Sequence, residues 1–380
     1  MPKKRTYVCL VALAAIAASL VGCGSGSNPA PTKYVAVADS DNSRILLYSA
    51  PVSMAQEANM VLGQADFTSN STATSATGLA YPVKATADSA GNVWVADCSN
   101  NRVVEYKTPF SNGMSASLVL GEPDMTTSTG GTSATALSCP SGLVFDKQGN
   151  LWVSDYDNSR VVEFKTPFSS GMAATLALGQ TDLNSSNCAT SATALCYPWE
   201  GIAFDSKGNL FVADYENCRI VEYQPPFSTG MAATVAIGQT DLNSGSCGTT
   251  ASTLDSPLGL TFDSKGNLWT GDYSNSRVLE FQAPFTTGMS ATTVIGQADF
   301  TSSAYSTTAS GLSYAYDVSF DSKGNLYVAD YDNNRTLMFS GPFTNGMSAT
   351  TVLGAPDFVT SSCSTTSATV CYPNGATAIP

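Results

Sequence analysis

The pattern Asp-x-x-Asn-x-Arg begins at Asp39, Asp97, Asp155, Asp214, Asp272 and Asp330, at intervals of 58 residues with a single interval of 59. A fixed period of this length marks a supersecondary unit that cannot bury its apolar face alone and stacks on copies of itself. Function then belongs first to positions where the copies disagree.

One full unit runs from Pro140 to Gln180. It holds four short apolar runs, Leu143–Phe145, Leu151–Val153, Val161–Phe164 and Leu176–Leu178, each strand-sized and rich in β-branched or aromatic residues, and none long enough for a helix. The unit reads as a four-stranded meander. Asp146 to Asn150 carries the chemistry of a tight hairpin in which Gly149 takes positive φ, with Gly91, Gly208, Gly266 and Gly324 as its equivalents.

Radial repetition of such meanders gives a β-propeller. The chain ends favour a closed ring over an open solenoid. The run Tyr34 to Asp39 enters at a second strand, and Cys371 to Ile379 matches only a first strand, so the two fragments complete one blade and remove an exposed sheet edge. The expected fold is all-β, a six-bladed propeller over residues 34–380 with one blade closed by N- and C-terminal strands.

At Asp-x-x-Asn-x-Arg, Gly-Asn-Leu-x-Val-x-Asp and Asn-x-Arg-Val, the chain resembles the NHL repeat family. The resemblance implies a six-bladed propeller that binds proteins, nucleic acid or small ligands, with a minority of enzymes. The blades are longer than is usual in the family because a Ser/Thr-rich connection follows Leu-Gly-Gln-x-Asp.

Lys3, Lys4 and Arg5 precede an uncharged apolar stretch from Tyr7 to Val21, the layout of a secretory signal. It closes on Leu20-Val21-Gly22-Cys23, which resembles a bacterial lipobox. That resemblance implies residues 1–22 as a lipoprotein signal peptide, lipidation at Cys23, a flexible tether over residues 23–33, and attachment to the cell envelope through the lipid alone, at an outer membrane or the cell surface. Ordinary secretion with an incidental cysteine is the alternative.

Loss of Lys3, Lys4 and Arg5 takes the formal net charge from −13 to −16. Nucleic-acid binding needs a basic face, and no Lys or Arg cluster follows residue 5, so nucleic acid is not an expected partner. The acidity instead makes calcium a candidate cation, or serves solubility. A monomer is expected.

Eight cysteines remain beyond Cys9 and Cys23, a number suited to an oxidising compartment. Cys188–Cys196 and Cys363–Cys371 sit in near-identical loops and each closes its own. Cys98–Cys139 and Cys218–Cys247 follow by analogy, joining an Asp-x-x-Asn-x-Arg loop to the connection leaving that blade. The chain-entropy model assigns about 2.5 kcal/mol to the short loops and about 4 kcal/mol to the long ones. Zinc is disfavoured by the lack of Cys-x-x-Cys spacing and of histidine.

The absence of histidine removes the commonest general base, the Ser-His-Asp triad and imidazole-held metals. Most aspartates recur in every blade and read as turn chemistry. Trp94, Trp152, Trp269, Phe211 and Tyr327 share one position and read as blade-to-blade packing. Tyr156, Tyr215, Tyr273 and Tyr331 follow the repeat aspartate and read as loop packing, with recognition as the alternative.

Trp199 differs, since it lies in Pro-Trp-Glu-Gly where the additional residue arises. Four residues before the hairpin aspartate stand Lys84, Gly142, Gly201, Gly259 and Asp317, with Gly375 from the closing strand. Lys84, Trp199, Glu200, Tyr316, Asp317 and Asn374 therefore form a non-repeating cluster at one end of the central channel, a ligand-binding face or an ion pair that plugs the channel. The expected function is an envelope-anchored binding or scaffold module for a protein, peptide or glycan. A calcium-dependent hydrolase or lyase, with Asp317 and Glu200 on the metal, is the alternative, and a purely structural surface protein is a third reading.

Overall fold

The computed structural model describes residues 33–380; the leader, the lipobox with Cys23 and the tether up to residue 32 lie outside the described residues. Among the described residues, twenty-four strands form six antiparallel sheets of four strands, the six-bladed propeller expected. Blades 2 to 6 span residues 82–120, 140–178, 202–237, 257–295 and 315–353. Blade 1 combines Tyr34–Asp39, Arg44–Ser49 and Met60–Leu62 with Pro373–Ile379, which pairs antiparallel to Tyr34–Asp39 from Tyr34 opposite Ile379 to Asp39 opposite Pro373. The ring is therefore closed by hydrogen bonds between the two ends of the described chain.

The first strand of each blade lines the channel. In blades 2 to 5 the second and third strands are buried along their whole length, as both faces of each sheet pack against neighbours. Large rings fill the wedge between blades. Trp94 meets Phe145 and Phe168 of the next blade edge to face, Trp152 meets Phe204 and Phe227, and Trp269 meets Phe320 and Phe343. These tryptophans are 1% exposed, and edge-to-face pairing adds to the gain from removing their area from water.

Each Asp-x-x-Asn-x-Arg motif is a buried knot. Asp155 ends the second strand, Tyr156–Asn158 forms a short 3-10 turn, and Arg160 starts the third strand. Arg160 Nε donates to Asp155 Oδ2 at 2.7 Å, and the guanidinium also donates to the carbonyls of Leu183, Ser133 and Ala136. Asp155 Oδ1 accepts the Ser138 amide at 2.7 Å, while Asn158 donates to Oδ2. One ion pair thus ties together the turn, the Ser/Thr-rich connection before the blade and the connection after it. Burial pushes the Asp155 carboxyl up to about 6, opposed by the Arg160 guanidinium and these hydrogen bonds.

The same knot seals the ring in blade 1. Arg44 donates to the carbonyls of Thr366 and Thr369, and Asp39 Oδ1 accepts the Cys371 amide at 2.6 Å. Disulfides join Cys98 to Cys139, Cys188 to Cys196, Cys218 to Cys247 and Cys363 to Cys371. Disulfides of this number mark an oxidising compartment.

Truncating Arg160 to Ala leaves Asp155 buried without its counter-charge and frees three loop carbonyls, so stability is expected to fall by about 3–5 kcal/mol. The Lys165–Glu163 pair, 3.7 Å apart with Lys165 59% exposed and the buried Glu163 carboxylate also held by Thr175, serves as the control: Lys165→Ala is expected to cost less than about 1 kcal/mol. Equilibrium urea unfolding of both variants distinguishes the two outcomes.

Candidate functional site

The residue that breaks the 58-residue period reshapes the channel. In blades 2, 3, 5, 6 and 1 the innermost strand begins directly after a residue held at positive φ, namely Tyr81, Cys139, Ser256, Tyr314 and Tyr372. Tyr197 takes the same conformation in blade 4, but Pro198, Trp199, Glu200 and Gly201 follow and regular pairing starts only at Ile202. The inner strand shrinks to Ile202–Phe204. The Ile202 amide bonds the Glu200 carbonyl at 3.0 Å, closing a bulge that carries Trp199 and Glu200. Gly142 of blade 3 accommodates it, since a Cβ there would fall 2.4 Å from the Glu200 carbonyl oxygen.

Above this level the channel opens into a cavity of about 190 Å³ lined by Tyr81, Tyr156, Trp199, Tyr215, Leu258, Tyr273, Tyr316 and Tyr331. The rings brace one another. Trp199 stands perpendicular to Tyr156 at 4.3 Å, Tyr273 perpendicular to Tyr316 at 5.5 Å, and Tyr316 stacks on Tyr331 at 5.0 Å. Around the cavity, the residue after each repeat aspartate meets the positive-φ residue of the next blade: Tyr156 with Tyr197, Tyr273 with Tyr314, and Tyr331 with Tyr372. Cys98 and Cys139 occupy the corresponding places between blades 2 and 3, where the contact is the disulfide itself. Tyr305, 58% exposed, extends this belt outward by donating to the Tyr314 hydroxyl at 3.1 Å.

A charged layer lies at the next residues of the inner strands. Lys84 donates to Asp317 Oδ2, and the Ala376 amide donates to the same oxygen at 3.0 Å. Lys84 and Asp317 flank the closing strand, so the pair clips it in place from both sides. Glu200 is 1% exposed, and neither carboxylate oxygen has a partner among the described residues. Burial holds its carboxyl well above the usual glutamate range, with the Asp317 charge adding to the rise and Lys84 opposing it. Asp317 Oδ1 and both amide atoms of the fully buried Asn374 are likewise without partners there.

The site residues expected from the sequence thus divide. Trp199 and Tyr316 line the cavity; Lys84 and Asp317 form the ion pair; Glu200 and Asn374 are buried in the inner-strand layer below. Tyr156, Tyr215, Tyr273 and Tyr331, whose recurrence reads as packing, complete the cavity together with Tyr81 and Leu258, which the sequence does not single out. A usable signal exists: nine of the sixteen tyrosines fall either directly after a repeat aspartate or around the start of an inner strand.

Chemically, the wall offers ring faces and neutral phenols. Burial pushes the Tyr156 hydroxyl up to about 12 and raises Tyr273 and Tyr331 further, so these groups stay protonated through the physiological range. For metals, the one group of three or more Cys, Asp or Glu ligand atoms within mutual reach among the described residues is Cys218, Cys247 and Asp255. Both of those sulfurs are spent in a disulfide.

The NHL repeat family model matches residues 79–106, 137–164 and 195–223, the first three strands of blades 2, 3 and 4 with their lead-in residues. No curated protein matches the chain. Among solved structures, a protein of unknown function from Bacteroides caccae aligns with TM-score 0.52 at 8% identity, over 87% of this chain and 97% of that one. A chain of a nidogen/laminin complex aligns at TM-score 0.49 and 17% identity, over 81% and 89% respectively. A catalytically inactive virginiamycin B lyase from Staphylococcus aureus with quinupristin aligns at 0.45 and 13%, over 83% and 84%. At such identities the likeness is one of fold.

Because the Glu200 carboxyl is raised in the folded chain, the native state favours its neutral form. That contribution is complete below the unfolded pKa and is lost as pH rises through the folded value. Glu200→Gln is therefore expected to raise the thermal midpoint at pH 8, with the gap over the parent shrinking towards pH 4. A gap that is flat or grows as pH falls contradicts the assignment.

Proposed function

Taking as premise that the chain is a closed six-bladed propeller of NHL repeats, we propose that it is an exported, lipid-anchored binding module whose ligand, a protein, peptide or glycan, seats on the tyrosine-lined mouth. The concentration of tyrosines at that mouth carries the reading. Tyrosine supplies large, stiff contact area at low entropic cost together with a hydroxyl that hydrogen-bonds, the combination favoured where proteins grip partners. Protonated phenols offer contact rather than a base.

Export is supported by the disulfides and the signal-like leader, and no helix among the described residues is long and apolar enough to cross a membrane. Lipidation at Cys23 then supplies the anchor, and the Gly/Ser/Pro-rich residues 24–33 the spacer that lets the mouth reach its ligand.

A second reading has one observation in its favour. Glu200 Oε1 and Oε2, Asp317 Oδ1 and Asn374 Oδ1 are buried oxygens without partners at the channel, the donor type calcium prefers. In that reading calcium would sit on Glu200 and Asp317 and polarise a substrate oxygen in a hydrolase or lyase.

Soluble Cys23→Ser protein, immobilised and exposed to envelope extract, is expected to retain a ligand that the folded triple variant Tyr156→Ala/Tyr273→Ala/Tyr331→Ala retains at least about tenfold less, since hot-spot truncations cost upwards of 2 kcal/mol. Equal retention by both places the ligand elsewhere. For the second reading, millimolar calcium is expected to raise the thermal midpoint of the parent and leave Glu200→Gln unmoved; no shift in the parent removes it.

A further inference from the structure

The second residue of each Asp-x-x-Asn turn projects at the rim of the tyrosine-lined mouth. In four blades it is acidic and exposed: Asp41, Asp157, Glu216 and Asp332. Asp255 adds a fifth carboxylate, and all five act electrostatically on the mouth tyrosines. No exposed cation among the described residues answers them at that face. The repeat arginines are 0% exposed inside their knots, and Lys84 is buried against Asp317. The exposed lysines of the described chain, Lys33, Lys107, Lys147, Lys165, Lys207, Lys265 and Lys323, belong to the hairpin turns and strand ends at the opposite face. The field at the mouth is accordingly negative, and it draws cations towards the cavity.

Within the cavity, two further features select among cations. Its walls are aromatic rings set at right angles, Trp199 on Tyr156 and Tyr316 on Tyr273, with Tyr331 stacked behind Tyr316. Ring faces attract positive charge through their quadrupole, and Trp and Tyr are the best at it. Beside this box lies Glu200, next in sequence to Trp199 and coupled electrostatically to Tyr316, buried with both oxygens unpartnered. A bare ammonium or guanidinium entering the box would forfeit hydrogen bonds to water that ring faces do not return. A fully alkylated ammonium loses none, and a cavity of about 190 Å³ admits one.

We propose that the mouth is an organic-cation site in which Trp199, Tyr156, Tyr273, Tyr316 and Tyr331 form an aromatic box for a quaternary ammonium group, and in which Glu200, neutral in the empty site, gives up its proton to solvent as the cation enters and becomes its counter-charge. This deepens the reading of the mouth as the binding face and rests on it: the group is what a bound ligand presents to the cavity.

Trp94, Trp152 and Trp269 are sealed between blades, so Trp199 is the tryptophan whose emission reports on the cavity. Titration of the soluble full chain with tetramethylammonium chloride is expected to shift that emission saturably. The neutral isostere 2,2-dimethylpropan-1-ol is expected to do so at least about fivefold more weakly, the factor that roughly 1 kcal/mol of cation–π attraction gives. Glu200→Gln and Tyr273→Leu are expected to weaken tetramethylammonium binding by a similar factor, while Tyr273→Phe, which keeps the ring, retains it. Choline and an N-acetyl trimethyllysine amide, run in parallel, separate a small amine from a peptide side chain as the carrier, and tighter binding of either supports the proposal. Equal affinity for cation and isostere, or no binding of any ammonium probe by the folded parent, overturns it. In that event, ligand capture that still depends on the mouth tyrosines would leave the binding face in place and remove only its ligand class.

Discussion

The interaction on which the rest of this structure depends is the buried aspartate–arginine pair, repeated once per blade. Taken alone such a pair is a poor source of stability, because desolvating two charges costs about as much as their attraction returns. Its value lies in the remaining donors and acceptors. Arg160 reaches three carbonyls on two separate connections, and Asp155 accepts a backbone amide from the first of them. Long Ser/Thr-rich segments with little apolar content are thereby held against the sheets without a core of their own. In blade 1 the same set of bonds grips Thr366, Thr369 and Cys371, so closure of the ring uses the device that anchors every other connection.

The knot also decides where the mouth tyrosines stand. Each repeat aspartate ends a strand at one end of the channel, and the next residue enters the tight turn, 3-10 in five blades, that the aspartate and asparagine pin. A side chain at that position has a fixed root and is presented inward at the same height in each blade. Tyr156, Tyr215, Tyr273 and Tyr331 thus reach one cavity although they are far apart in sequence. The knots thus support both the blades and the wall of the cavity, and weakening a knot loosens that wall.

Much of this was legible in the chain, for an identifiable reason. Periodicity constrains every copy at once, so blade number, ring closure through Tyr34–Asp39 and Pro373–Ile379, and the placing of Lys84 and Asp317 beside the closing strand all follow from one alignment. The same logic hides the cavity. A tyrosine present in four blades has the signature of scaffold, and only the spatial convergence of those copies distinguishes a wall from a spacer. Tyr81 is harder still, because Tyr197, Tyr314 and Tyr372 hold the same position before an inner strand without lining the cavity. The ion pair is a further case: charge at two glycine positions suggested either a plug or a ligand face, and Asp317 Oδ2, accepting from both Lys84 and the Ala376 amide, adds a third role in holding the final strand.

Under the proposed reading, departures from symmetry are what give a uniform scaffold a selective site. A ring in which six blades contributed the same side chain would offer a ligand six equivalent ways to sit and no preferred one. Here the disulfide replaces one aromatic contact, Ser40 and Ser256 stand in for two tyrosines, and the bulge in blade 4 introduces Trp199 and Glu200 on one side only. Repetition supplies a wide aromatic wall from few instructions, and the single inserted residue gives that wall a front. Glu200 is buried without a partner among the described residues, a cost that favours the proposed site over a purely structural mouth. The polar defect and the aromatic wall coincide at the one place where the repeat breaks, and that coincidence is the ground for proposing a site there in place of a packed channel end.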